Sequence, residues 1–294
     1  MHLTTRRNFL QTSAAALTLA ANRRLLHAAS LHVPVGIQLY SVRGDLARSF
    51  EPTLQTLASL GYTEVETAGY FNHSFTEVKA AFKNTGLHCP SAHYNFQSMS
   101  TQLDENIAFS HELGLQYVVC ASPGKLPANA QTKGPHTIDD WKYNAESFNK
   151  MAAKVKAAGM TFAYHNHYEE FQSLPDGSIP YDHLLKLTDP SLVHFEMDCG
   201  WVIVGGGDPV QYLKRHANRI SMLHLKDFVV TKLDATGRAP APTELGRGVI
   251  DYRPIFLAAS AAKIKHAFVE QEGYDIPQNE SLKADADYLK KLYD

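Results

Sequence analysis

The stretch TFAYHNHYEEF, residues 161–171, begins as an apolar strand and turns polar at His165, Asn166 and His167. Side chains alternate along an extended chain, so two histidines one residue apart project to the same side. Such a pair is either a polar strand end facing water or half of a metal site, since imidazole serves both. Three later stretches bear on the choice. LVHFEMD ends on Asp198 with Glu196 on the same face, ISMLHLKD carries His224 and Lys226, and HAFVEQE carries Glu270 and Glu272. Gathering these groups out of water is costly unless a cation or mutual pairing offsets the lost hydration. A divalent ion is the simplest partner for two imidazoles and two carboxylates at once. Lys226 shares a face with His224 and could stabilise charge developing on an oxygen, although a surface lysine would look the same. Glu196 could support a ligand from behind.

Those stretches need a scaffold that brings them together. Strand-like runs fall at 35–40, 62–67, 87–93, 116–121, 161–167, 192–198, 220–227 and 266–272. Between them, segments such as FEPTLQTLASLG, TQLDENIAFSHELG and WKYNAESFNKMAAKVKAAG repeat apolar residues at three- and four-residue spacing and close on glycine. In DPVQYLKRHA, Asp208 stands as N-cap and Pro209 at the first helical position. Eight alternating units of this kind predict an α/β chain folded as a (β/α)8 barrel, whose active site sits at the C-terminal ends of the strands. A doubly wound sheet would want a glycine-rich turn after an early strand, and VGIQLYSVRGD has none. The triplet in VGGGDP lacks the lysine and spacing of a phosphate loop and reads as a flexible connection.

A formal net charge of -2 gives no electrostatic reason to expect nucleic acid. Three cysteines, Cys89, Cys120 and Cys199, are too few for a disulfide framework or a thiolate zinc site, and leave room for one bridge. The start of the chain differs in character. Arg6 and Arg7 precede a short alanine-rich apolar stretch from about Thr12 to Ala21, the build of a twin-arginine export signal. Residues 1–30 are therefore expected to be a cleaved signal and residues 31–294 one barrel domain. The expected setting is periplasmic or otherwise exported, with the twin-arginine machinery as a partner.

GIQLYSVR, GYTEVETAGY, SAHYNF, YHNHYEEF, EMDCGW, HLKDF, LGRGVIDY and VEQE follow one another in an order that resembles the xylose isomerase-like superfamily of sugar isomerases and epimerases. The resemblance covers nearly the whole chain after the leader. It implies a TIM barrel holding one divalent ion, manganese first, with zinc, cobalt or magnesium as alternatives. By motif it implies Asp198, His224 and Glu270 as metal ligands, with His165 standing where relatives usually carry a glutamate. It further suggests that Gln38 and Glu66 bind sugar hydroxyls and that His93 is a polar rim residue. Trp201 could wall the sugar ring or simply pack its loop.

The implied chemistry is proton abstraction next to the carbonyl of a keto- or aldo-sugar, with a small sugar as substrate and no nucleic acid. Glu270, His165 or His167 would be the base, and Lys226 the oxyanion partner. Isomerisation or epimerisation leads the expectation. The histidine at 165 breaks the two-glutamate symmetry of an epimerase, so elimination from a 3-keto-glycoside is the alternative. A non-catalytic periplasmic sugar-binding protein would share the same residues, and a homo-oligomer is left open. A phosphodiester-cleaving barrel would need more ligands and a basic groove.

Overall fold

The computed structural model describes residues 33–293, so the expected leader lies outside the described residues. Eight parallel strands close into a barrel. They are β1 (Gly36–Gln38), β2 (Glu64–Thr67), β3 (His88–Tyr94), β4 (Tyr117–Cys120), β5 (Thr161–His165), β6 (Val193–Asp198), β7 (Ile220–Leu225) and β8 (His266–Val269). β1 closes the ring by pairing with both β2 and β8. Each falls inside or within one residue of the run expected from sequence.

Helices fill the connections where the sequence signals place them. Gly61 and Gly114 end Phe50–Leu60 and Leu103–Leu113 in the left-handed conformation. Asp208 caps Pro209–Arg215, its Oδ1 accepting from the N–H groups of Val210 and Gln211. The helix expected within 101–114 is Leu103–Leu113, preceded by a further short helix, Phe96–Thr101, that meets it at Gln102. The VGGGDP segment is a packed junction rather than a free connection. A Cβ on Gly205 would stand 2.4 Å from the Tyr168 carbonyl oxygen, and one on Gly207 would stand 2.8 Å from Val202 Cγ1. All three cysteines are free and buried, so the possible bridge is not formed.

The main apolar core lies between the sheet and the helices, and a smaller one of Val119, Ala163, Met222 and Phe268 plugs the barrel. Period two then fixes what comes next. Two residues further along β5, β7 and the end of β8, on the same inward face, stand His165, His224 and Glu270. The apolar plug is thus the floor on which the polar residues are stacked.

Candidate active site

Neighbouring strands bring the four expected ligands into one place. His165 pairs with Glu196 between β5 and β6, Asp198 pairs with His224 between β6 and β7, and Glu270 stands two residues beyond Phe268, the β8 partner of His224. Ligand atoms of His165, Asp198, His224 and Glu270 all lie within 4.8 Å of one another, and all four residues are buried.

The donor atoms fit an ion. Asp198 Oδ1 accepts the Trp201 N–H at 2.8 Å and so caps the helix Cys199–Val204. Its Oδ2 has no hydrogen-bond partner, and neither has His165 Nδ1. Buried atoms in that condition cost about 1–3 kcal/mol each unless something else satisfies them. An ion bonded at about 2.1 Å spreads its ligands over at most about 4.2 Å, close to the spacing found here. The charges agree. Lys226 Nζ lies 3.0 Å from Glu270, 2.8 Å from Glu272 and 3.8 Å from Asp198. One ammonium among three carboxylates leaves two negative charges, which a divalent cation balances.

Burial pushes the Asp198 carboxyl up to about 6, with Lys226 pulling against it. Glu270 goes the other way: burial is outweighed by Lys226 and His224, and its pKa falls well below the usual range. Burial also lowers His167, to about 4, and nearby Lys226 adds to the effect. His167 is therefore a neutral imidazole at neutral pH.

A second buried layer supports the first. His224 directs Nδ1 toward Glu270 at 3.4 Å and Nε2 toward Glu66 at 2.7 Å. Glu66 also accepts from the Gln38 amide at 2.7 Å. His93 Nε2 meets Glu196 at 2.6 Å and Glu66 at 2.9 Å. Holding the far nitrogen of a ligating histidine on a carboxylate fixes its tautomer and ring orientation. Burial and the neighbouring Glu66 push Glu196 up to about 7. His93, His165, Glu196 and His224 form a second group with the right spacing for an ion. Two of its members, His93 and Glu196, already pair with each other at 2.6 Å, whereas the upper group includes Asp198 Oδ2, which has no hydrogen-bond partner.

Above the ligands opens a cleft of about 580 Å³, lined in part by His93, His165, His167, Trp201, Glu270 and Glu272. Lys226 lies beneath the lining with its Nζ 4.6 Å from the Trp201 ring centroid. Gln38 and Glu66, expected to touch sugar, and Glu196, expected to stand behind a ligand, are all fully buried and absent from the lining. Two residues were not singled out from sequence. Glu170 accepts the His167 N–H at 3.1 Å and the Tyr164 hydroxyl, and so ties down the turn that carries His167. Asn166 brackets Asp198, accepting its N–H at 3.1 Å and donating to its carbonyl at 3.3 Å. Both lie in HNHYEE, where a polar run after a strand was the only signal.

Comparison with known proteins agrees with this architecture. The chain is 28% identical over 231 residues to an inosose dehydratase of Geobacillus kaustophilus, covering 70% of this chain and 74% of that protein. It is 25% identical over 251 residues to an inosose dehydratase of Geobacillus thermodenitrificans, covering 77% and 83%. A solved sugar phosphate isomerase/epimerase from Parabacteroides distasonis superposes with a TM-score of 0.71 at 28% identity, over 87% of this chain and 97% of that one. The buried ligand cluster in such a barrel makes this chain a metal-dependent enzyme. The model of the xylose isomerase-like TIM barrel family matches residues 54–292, and the chain belongs to that family.

Proposed function

We propose that this enzyme is a divalent-metal-dependent lyase that eliminates water or an alcohol from a keto-sugar or keto-polyol. Elimination, the alternative in the sequence reading, moves ahead of isomerisation and epimerisation. The observation that carries it is the asymmetry of the bases. Inverting a carbon from both faces calls for a matched pair of bases, one on each side. Here Glu270 is held by Lys226 at 3.0 Å and belongs to the ligand group. His167 is a neutral cleft-lining imidazole in neither ligand group. The similarity to inosose dehydratases supports the same reading.

His165, Asp198, His224 and Glu270 would hold the ion. Two nitrogens and two carboxylates suit manganese, cobalt or zinc better than magnesium, which favours all-oxygen sites. When bound, the ion acts as a Lewis acid on the substrate carbonyl and makes the neighbouring C–H more acidic. His167 takes that proton, the C–O bond at the next carbon breaks and a C=C bond forms. The imidazolium returns the proton to the departing oxygen, so water or alcohol leaves with no oxidant consumed. Glu170 positions His167 through its backbone. Glu66 orients His224 from below. Export through a leader in residues 1–30 belongs to the proposal and is checked by fusing that segment to a reporter.

The test is product analysis in deuterated water with an inosose, a 3-keto-glucoside and common ketohexoses. A lyase yields an unsaturated ketone, seen by absorbance and NMR, with released water or alcohol. Conversion to a deuterated saturated isomer without any unsaturated product would overturn the reading.

A further inference from the structure

The cleft is larger than the ligand cluster needs. His165, Asp198, His224 and Glu270 all come from the β5–β8 half of the barrel. The half above β1–β4 contributes Tyr40, Gly69, Asn95, Ser98 and Ser122 to the same lining. A single sugar ring has about twelve heavy atoms, each taking less than the ~30 Å³ share of a liquid water. Seated at the ligands, it leaves roughly a third or more of the 580 Å³ cleft unfilled.

That remaining half has a definite chemistry. Its side chains are uncharged apart from His93, whose Nε2 is already held by Glu196 and Glu66, and the described lining of the whole cleft includes no Lys or Arg. The nearest cations are occupied: Lys226 pairs with Glu270 and Glu272, and Arg43 stacks 4.1 Å from the Tyr40 ring centre while donating to its carbonyl oxygen. The first-turn N–H of Ser98 is taken by the Asn95 side chain at 2.8 Å. Phosphate would meet two glutamates and no free donor of positive charge. Tyr40 is 41% exposed, and of the exposed large hydrophobic residues it is the one in the lining. An aromatic ring steadied by a guanidinium, in a lining that also offers hydroxyl and amide groups, is a platform for the C–H face of a sugar.

We infer that the β1–β4 half of the cleft is a seat for a second, uncharged sugar ring, stacked on Tyr40, so that the substrate is a keto-glycoside and the leaving group is that second sugar, departing through its hydroxyl oxygen. This deepens the elimination reading and rests on it. The C–O bond that breaks is then the glycosidic one, and the leaving oxygen takes the proton first removed from carbon. Because the keto group must already be present, a reaction that oxidises a glycoside hydroxyl has to supply this substrate.

The experiment compares kcat/KM of the manganese-loaded enzyme for 3-keto-glucose, a 3-keto-disaccharide and 3-keto-glucose 6-phosphate. The disaccharide is expected to exceed the monosaccharide at least tenfold, and the phosphorylated sugar to fall at least tenfold below it. Tyr40→Ala should collapse the disaccharide-to-monosaccharide ratio at least tenfold, and Tyr40→Phe, which keeps the ring, should preserve it. Equal rates on one and two rings, a preference for the phosphorylated sugar, or an unchanged ratio in Tyr40→Ala would overturn the inference. If the wild type eliminates from none of the three, the lyase reading fails, and the seat is judged by calorimetry with cellobiose and glucose. Cellobiose binding tenfold tighter, with the advantage lost in Tyr40→Ala, upholds the seat; equal binding removes it.

Discussion

His167 differs from its neighbour His165 in one respect that decides their roles. Both are two-nitrogen bases on the same face of one strand end and both line the cleft, but His165 belongs to the ligand group and His167 does not. Replacing His167 with alanine is therefore expected to lower kcat by about 10²–10⁴, the usual contribution of a positioned base. Metal content should stay unchanged, and elemental analysis beside the kinetics checks both halves. With its pKa lowered to about 4, His167 stays deprotonated well below the ordinary imidazole range. The types of these residues were legible in the sequence, since HNH, MD, HLK and EQE stand at strand ends. Their depth was not. Alternation says which face a side chain takes but not how far along the barrel axis it sits, so Gln38 and Glu66 are expected to touch the sugar when they lie beneath the ligands.

At the scale of elements, the turn after β5 that carries His167 is braced by the helix and glycines that follow β6. Gly205 lets the Tyr168 carbonyl approach to a distance that any Cβ would block, and the same hypothetical Cβ would stand 2.7 Å from Phe171. Gly205→Ala must therefore push the 167–171 turn outward. It is expected to destabilise by about 1–3 kcal/mol, as overpacking does, and to lower kcat through displaced His167. Gly206, with a φ of 94° and open space at its Cβ, offers the contrast. Its alanine variant should cost about 1 kcal/mol of backbone strain with kcat preserved; denaturant melts and steady-state rates on the two proteins test the pair. Sequence reading took this glycine run as a free connection because close approach between two loops involves residues about forty apart, which no local pattern encodes. The strands themselves were legible because each is a short apolar run bounded by helix ends.

The whole barrel carries a titration outside the cleft lining. Asp285 sits on the closing helix Gln278–Tyr293, buried, with Oδ1 accepting the Leu245 N–H at 2.7 Å and Oδ2 without a partner. Burial raises its pKa to about 8, with Glu244 adding to the effect. Folded protein therefore holds a proton that the unfolded chain releases near 4, so this group's contribution to stability declines as pH rises between about 4 and 8. Asp285→Asn keeps the acceptor for Leu245 and removes the charge. Its melting temperature relative to wild type should rise steadily from pH 5 to pH 8; a constant difference would contradict the assignment. The barrel topology was legible at this scale because eight alternating units admit few arrangements, whereas a lone buried carboxylate on the last helix looks like any residue of a solvated face.

The central claim is that His165, Asp198, His224 and Glu270 share one divalent ion, and elemental analysis of purified protein beside His224→Ala tests it most directly. The account predicts about one ion per chain in the wild type and its loss in the variant, with folding verified by circular dichroism. Metal-free wild-type protein that takes up no manganese, cobalt or zinc on titration, or a folded variant that keeps the wild-type content, would contradict it.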